Sequence, residues 1–235
     1  MSLFAWLRPA APSLNPAQQL AVQRLSAPAP WADCSLRQQR WVVLDLETTG
    51  LNVNRDLVLS IGAVVIEDGA IDLSQQFENT LQRKGHKPSP SVLLHGLGPE
   101  AIAAGCDPVE GLLDFMEFLG DSPVLAFHAP FDERMLGRAL KDSLGYRLQH
   151  RFIDLAELAP LLNPQIVLRE ATLDDWIRQF GLQADERHNA SADAYVTAQL
   201  ALILMSQARQ LGLDSPALLT ERLGQWQRRQ RSPGL

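Results

Sequence analysis

The chain has 235 residues, a formal net charge of −6 and a hydrophobic content of 46%. This length suits one sizeable core with terminal extensions, and the acidic balance excludes the basic footprint of a non-specific nucleic-acid binder. The two cysteines, Cys34 and Cys106, are too few for a disulfide framework or a thiolate zinc site. Such a cysteine content is typical of a reducing compartment, so we expect a cytoplasmic protein.

The first 40 residues are rich in Ala, Pro, Gln and Ser. An apolar patch around Trp6 is interrupted by Arg8 and Pro9, so we expect neither a signal peptide nor a membrane span. A short helix is predicted from Pro16 to Leu25. We interpret residues 1–40 as an arm that packs on the following domain.

The stretch from Trp41 to Leu51, WVVLDLETTGL, predicts a buried strand that ends in two acids before Gly50. Successive side chains of a strand point to opposite faces, so Asp45 and Glu47 share one face and the leucines beside them face the other way. Two carboxylates this close favour a hard divalent cation between them. The alternative is a solvated strand end.

Two more strands are predicted next, over Val58 to Glu67 and Ala70 to Leu81, joined by the hairpin turn Asp68-Gly69. Three consecutive strands of this kind form an antiparallel meander. A basic loop over Gln82 to Lys87 follows the meander.

Strands and helices alternate in the second half of the chain. Strands are predicted over Pro123 to His128 and Arg151 to Leu155, and helices at Pro99, Pro108 to Leu119, Pro130 to Ser143, Leu155 to Leu162, Thr172 to Phe180, Ser191 to Gln210 and Ser215 to Arg229. The order predicts an α/β fold with a central mixed sheet flanked by helices. No internal repeat interrupts it.

Two further acids and a histidine occupy positions suited to chemistry. Asp132 lies near the start of a predicted helix, where the helix dipole favours a carboxylate. Asp193 lies in the first turn of the helix predicted from Ser191, and His188 lies on the loop before it. Each residue by itself also has a plainer interpretation, as a helix-terminal acid or a surface histidine.

Taken in order, the motifs DLETTG, FHAPFD and His188-x4-Asp193 resemble those of the DEDD-type 3′-to-5′ exonucleases, in the histidine-bearing subgroup that includes the epsilon proofreading subunit of bacterial DNA polymerase III. The resemblance covers about Trp41 to Ala201. Supporting matches are Thr48-Thr49-Gly50-Leu51, Ile61-Gly62 and His95-Gly96-Leu97.

The resemblance implies a ribonuclease H-like exonuclease fold. It implies that two divalent cations, Mg²⁺ or Mn²⁺, are held by four acids, namely Asp45, Glu47, Asp132 and Asp193. It further implies that His188 is the general base that takes a proton from the attacking water, and that the products are nucleoside 5′-monophosphates.

The same resemblance places Thr48, Thr49 and Leu51 against the terminal nucleotide, with backbone groups near Thr49 receiving its 3′ hydroxyl. Turn formation and core packing are the alternative roles of these residues. At His128 many relatives carry asparagine, and this departure bears on substrate positioning. The aromatic residues beside it, Phe127 and Phe131, could stack on bases or belong to the core.

We therefore predict a metal-dependent 3′-to-5′ exonuclease that acts on nucleic acid with a free 3′ end, with DNA favoured over RNA. The alternatives are an RNA-trimming exoribonuclease of the same fold and a non-catalytic module that binds nucleic acid or protein. Arginines and a lysine after Asp132 could contact phosphates, namely Arg134, Arg138, Lys141, Arg147 and Arg151. No clamp-binding peptide supports association with a polymerase.

Three regions are predicted: the arm at 1–40, an exonuclease domain at 41–205, and a C-terminal helical extension with a basic tail at 206–235. The tail combines Trp226 with several arginines. A solvated terminus and contact with nucleic acid or a partner are its two interpretations.

Overall fold

A computed structural model of the protein describes residues 13–31, 33–83, 96–168, 171–184 and 187–231. Its centre is a five-stranded sheet in the order β3-β2-β1-β4-β5. The strands are β1 (Trp41–Thr48), β2 (Val58–Glu67), β3 (Ala70–Thr80), β4 (Val124–Ala126) and β5 (Phe152–Asp154). The first three form the predicted antiparallel meander, and β4 and β5 extend the sheet in parallel with β1. The predicted fold class is confirmed.

Helices cover both faces of the sheet. Those in the described part of the chain are α1 (Pro16–Arg24), α2 (Pro99–Ala103), α3 (Pro108–Leu119), α4 (Ala129–Leu144), α5 (Leu155–Leu162), α6 (Leu173–Phe180), α7 (Ala190–Gln210) and α8 (Pro216–Arg231). The strand predicted over 123–128 ends at Ala126 instead, because His128 adopts a left-handed backbone conformation (φ 64°) and starts α4. None of these helices is long and apolar enough to cross a membrane.

Strand β1 separates two hydrophobic cores. Val42, Leu44 and Leu46 point to the core shared with α3 and α4, whereas Trp41 and Val43 point to the core shared with α5, α7 and α8. This alternation is the period of a strand buried on both faces. Asp45 and Glu47 therefore continue the row of Trp41 and Val43, at the end of the strand.

Helix α7 lies across β1, β2 and β3, and one glycine allows its close approach. A Cβ atom at Gly62 of β2 would lie 2.1 Å from the carbonyl carbon of Ala190 and 2.3 Å from the backbone nitrogen of Ser191. Gly62 pairs with Asp45 in the sheet. The missing side chain thus brings the N-terminus of α7 next to the acidic end of β1.

The predicted arm is described from residue 13 onward. In that part, α1 packs on α3, and Leu36 is buried and accepts a hydrogen bond from the indole Nε1 of Trp41 at 3.0 Å. At the other end, Leu219 and Leu223 of α8 are buried in the core with α5 and α7. The predicted domain boundaries stay predictions, and the loop predicted to continue to Lys87 lies outside the described residues from position 84.

Substituting Gly62→Ala should push α7 away from β2. Because the added methyl group meets backbone rather than a flexible side chain, we expect a loss of about 3 kcal/mol in the free energy of unfolding. Urea denaturation measures it. Gly137→Ala in α4 is the matched control, because its Cβ would meet the side chain of Leu148 at 3.8 Å, an ordinary contact. Equal stability of the two variants would contradict the proposed role of Gly62.

His150 is buried, and burial lowers its pKa. Its Nε2 donates to the carbonyl of Gly120 at 2.7 Å, while its Nδ1 is buried and has no hydrogen-bond partner among the described residues. The folded protein therefore accommodates the neutral ring, and a proton on Nδ1 would be buried without an acceptor.

As the pH falls below about 6.5, the unfolded chain should bind a proton on His150 before the folded protein does. The free energy of unfolding of the wild type should then decrease relative to that of His150→Gln, with no such relative change above that pH. Denaturant titrations at pH 7.5, 6.5 and 5.5 measure the difference. A constant difference across the series would refute the assignment.

Candidate active site

The acids of β1, α4 and α7 meet at one end of the sheet. Asp132 lies in the first turn of α4 and Asp193 in the first turn of α7, and each is 5% exposed. Helix N-termini carry partial positive charge, which stabilises a carboxylate there. The fold thus directs two helix N-termini toward the acids at the end of β1.

Three of the four predicted acids converge closely. Carboxylate oxygens of Asp45, Glu47 and Asp193 lie within 4.8 Å of one another. Asp132 does not belong to that group of three, but it lines the same cavity, whose volume is about 530 Å³. His188 and His128 also line this cavity, so the structure brings the predicted catalytic residues to one place.

Electrostatics in this cavity disfavour four negative charges. Burial raises the pKa of Asp45 well above its ordinary value, and the charges of Asp132 and Glu47 raise it further. Burial likewise raises the pKa of Asp132, with added repulsion from Asp154 and Glu47. Burial and neighbouring negative charge both disfavour the ionised form of a carboxylate.

The donor set fits divalent metal ions. Carboxylate oxygens are the ligands that Mg²⁺ and Mn²⁺ prefer, and the four carboxylates match the charge of two dications. The close group of Asp45, Glu47 and Asp193 has the spacing that one ion could bridge.

Arg187 is a site residue that sequence reasoning missed. Its Nη1 donates to Oδ1 of Asp193, and its Nε donates to Oδ1 of Asp174 on α6 at 2.7 Å. Burial raises the pKa of both Asp45 and Glu47, and the charge of Arg187 opposes that rise. The guanidinium is therefore a positive charge already inside the acidic group, and its position directly before His188 was the available sequence signal.

His188 is exposed, and its backbone is in the left-handed region (φ 63°). Its amide nitrogen donates to Oδ2 of Asp193 at 3.1 Å, and the side chain of the next residue, Asn189, caps α7. The backbone of His188 is thereby tied to an acid of the site, while its imidazole lines the cavity.

His128 is exposed, and its amide nitrogen donates to Oδ1 of Asp154 at 2.9 Å. The same oxygen of Asp154 accepts from the amide of Ala156 at 3.0 Å and so caps α5. Asp154 was not predicted as a site residue, although its place at the end of a strand was visible in the sequence. It joins the turn at His128 to the end of β5.

The predicted substrate-contacting residues occupy different positions. Leu51 is 85% exposed and lines the cavity. The hydroxyl of Thr48 donates to the carbonyl of Gly50 at 2.9 Å, and the hydroxyl of Thr49 donates to Asp56 at 2.9 Å. Both threonine hydroxyls are thus bonded within the loop after β1.

The backbone near Thr49 is also partly engaged, because its amide donates to the carbonyl of Leu57 at 2.9 Å. A nucleotide contact there would use other backbone groups of the loop, and the predicted threonine contacts stay predictions. Phe127 and Phe131 are half-buried and line the cavity together with Leu51. His95 lies outside the described residues.

Comparison with known proteins identifies the family. The exonuclease family model matches residues 42–201, from β1 into α7. PolC-type DNA polymerase III of Bacillus subtilis (strain 168) is 29% identical over 201 residues, which cover 84% of this chain and 14% of that protein. The PolC-type enzyme of Thermotoga petrophila is 32% identical over 181 residues, 77% of this chain and 13% of that protein. The chain thus spans a small part of the length of these relatives.

Solved structures share the fold. E. coli exonuclease I in complex with a dT13 oligonucleotide has a TM-score of 0.62 at 17% identity, covering 74% of this chain and 42% of that one. Exonuclease X in complex with 5′ overhanging duplex DNA has a TM-score of 0.59 at 19% identity, covering 76% of this chain and 99% of that one. The family match and the shared fold show that this chain belongs to the exonuclease family, as a relative of the DEDD-type 3′-to-5′ exonucleases.

Proposed function

We propose that the protein is a metal-dependent 3′-to-5′ exonuclease that releases nucleoside 5′-monophosphates from nucleic acid, with DNA favoured over RNA. The observation that carries this proposal is the convergence of Asp45, Glu47 and Asp193 within 4.8 Å, in the cavity that Asp132 and His188 also line. Metal ions held by these carboxylates would clamp a phosphodiester for in-line displacement by water.

The four acids would hold two divalent cations, Mg²⁺ or Mn²⁺. Bound cations would supply an activated water and stabilise the leaving 3′ oxygen. Asp45 lies on the rigid strand β1, and the charges of Asp132 and Glu47 both act on its carboxylate. It is therefore the acid best placed to be a ligand of both ions. Asp132 and Asp193 lie in the first turns of packed helices, so their backbone would need little reorganisation on binding.

His188 would be the general base. Histidine is the side chain type that exchanges a proton near neutral pH, and this one is exposed at the cavity. The hydrogen bond from its amide to Asp193 keeps its backbone close to the acids, and its exposed side chain would reach a water molecule in the cavity. His128, on the opposite loop, would position the substrate.

The apolar side chains in the cavity would hold the terminal nucleotide. Leu51, Phe127 and Phe131 offer surfaces against which a base can stack, as in proteins that bind single strands. DNA is favoured because the similar structures contain DNA and the similar chains are DNA polymerases. The similarity to PolC-type polymerases favours a polymerase partner, although no clamp-binding peptide in the sequence supports one.

The assay for the function uses 5′-labelled single-stranded DNA and RNA of one sequence, each with Mg²⁺ or Mn²⁺. We expect a ladder of single-nucleotide steps from the 3′ end, with DNA degraded faster. Asp45→Asn should reduce the rate by about a thousandfold through loss of a metal ligand, and His188→Gln by at least about a hundredfold through loss of the base. Faster degradation of RNA would favour the exoribonuclease alternative.

Thermal unfolding distinguishes an enzyme from a module that only binds. Mn²⁺ should raise the melting temperature of the wild type and of His188→Gln, but that of Asp45→Asn much less. Intact DNA and RNA under every condition, with no stabilisation by Mn²⁺, would refute the proposed function.

Arg187→Gln tests whether the guanidinium of Arg187 competes with a divalent cation for Asp193. A divalent cation on Asp193 must displace the guanidinium, so removal of Arg187 should lower the Mn²⁺ concentration for half-maximal stabilisation by about threefold or more. The metal-free variant should melt at a lower temperature, because its acids lose a counter-charge. Arg178→Gln is the control, since Arg178 pairs with Asp175 on the surface of α6. Unchanged or weaker Mn²⁺ binding by Arg187→Gln would contradict this role.

A further inference from the structure

Two arginines meet beside the end of the sheet that carries the acids. Arg83 follows β3, and its Nε and Nη2 both donate to the carbonyl of Val58, at 2.9 and 2.7 Å. Arg138 lies on α4, and both side chains line one cleft. The two bonds to Val58 fix the plane of the Arg83 guanidinium and leave its Nη1 for another acceptor.

This pair of positive charges has no carboxylate partner in the described part of the chain. Neither arginine forms an ion pair there, and Asp142, whose side chain lines the same cleft, lies beyond ion-pair distance. Arg138 Nε is buried and has no hydrogen-bond acceptor among these residues. Burial lowers the pKa of Arg83, and the charge of Arg138 lowers it further. An anion in the cleft would offset the repulsion between the two guanidinium groups.

The cleft has the size of a small anionic group. Its volume is about 50 Å³, and its apolar walls include Leu57 and Met135. A nucleotide base would not enter it, whereas a phosphate group could bring its oxygens to both guanidinium groups. Arginine suits this task because its planar donors match the geometry of phosphate oxygens.

The cleft lies beside the loop that leads from β1 to the active-site cavity. The carbonyl of Leu57, a residue of the cleft, accepts a hydrogen bond from the amide of Thr49 at 2.9 Å. Leu51, two residues after Thr49, lines the cavity. Arg138 lies six residues after Asp132, which is about 9 Å along the helix axis. A strand whose 3′ end occupies the cavity can therefore reach the cleft.

We propose that Arg83 and Arg138 bind a backbone phosphate of the nucleic-acid strand, upstream of the scissile bond. This inference rests on the proposed function and adds the path of the substrate. Arg134 and Lys141 of α4 and Arg147 after it line a second cleft of about 300 Å³, in which Glu133 is the acid. On a chain with a net charge of −6, this surface gathers positive charge locally.

The experiment measures kcat and KM for oligothymidylates from dT2 to dT8 with wild type and Arg138→Gln. In dT2 the one phosphodiester is the scissile bond, so the KM values of the two proteins should agree. Longer strands add upstream phosphates, so the KM of Arg138→Gln should rise by about tenfold over wild type beyond a certain length, with kcat unchanged.

Salt dependence gives a second measure. The slope of log KM against log salt for dT8 should decrease by roughly one on loss of one phosphate contact. Arg138→Lys should recover part of the affinity. Arg83→Gln should act like Arg138→Gln. Arg37→Gln is the control that should match wild type, because Arg37 donates to the carbonyl of Asp68 beyond the opposite end of β2.

Thermal unfolding of each variant shows whether it is folded, which matters most for Arg83 because of its bonds to Val58. If wild type degrades dT8 but Arg138→Gln matches it in KM at every length, the phosphate site is refuted and the exonuclease remains. If wild type degrades no strand, the proposed function itself fails. An equal rise in KM for dT2 and dT8 would also refute an upstream site.

Discussion

The mutual repulsion of carboxylates in one cavity is the constraint on which the rest of this structure depends. Asp45, Glu47, Asp132 and Asp193 are held together although burial and like charge raise the pKa of Asp45 and Asp132. The packing of the two hydrophobic cores, which enclose β1 on both faces, offsets this unfavourable electrostatic free energy. Arg187 and the helix N-termini offset part of it, and divalent cations would offset the remainder.

The acids of the cavity lie on rigid elements, whereas other residues that line it lie on exposed segments. The acids lie on a buried strand and at the starts of two packed helices, where small displacements are resisted by the surrounding core. His188, His128 and Leu51 lie on exposed segments around the cavity. This division suits the proposed function, in which the acids would hold metal ions while nucleotides enter and leave.

Local rules of sequence were sufficient where a residue's role depends on its near neighbours. The period of two along β1 placed Asp45 and Glu47 on one face, and the helix predicted from Ser191 placed Asp193 in its first turn. These local rules did not identify Arg187 as a site residue, because one of its partners, Asp174, belongs to a different helix. The sequence predicted a turn at Thr48 and Thr49, but it could not identify the groups that accept hydrogen bonds from their hydroxyls.

The sequence by itself determined the three-stranded meander and the alternation of strands and helices after it, because periodicity and turn residues are local features. It also determined the identity and order of the acids and the histidine, because motif order can be read along the chain. Only the tertiary structure decided which groups from distant parts of the sequence come into contact. The fit of α7 against Gly62, the guanidinium of Arg187 among the acids, and the pairing of Arg83 with Arg138 all join separate elements. Such meetings depend on how helices pack across a twisted sheet, and no local pattern encodes that geometry.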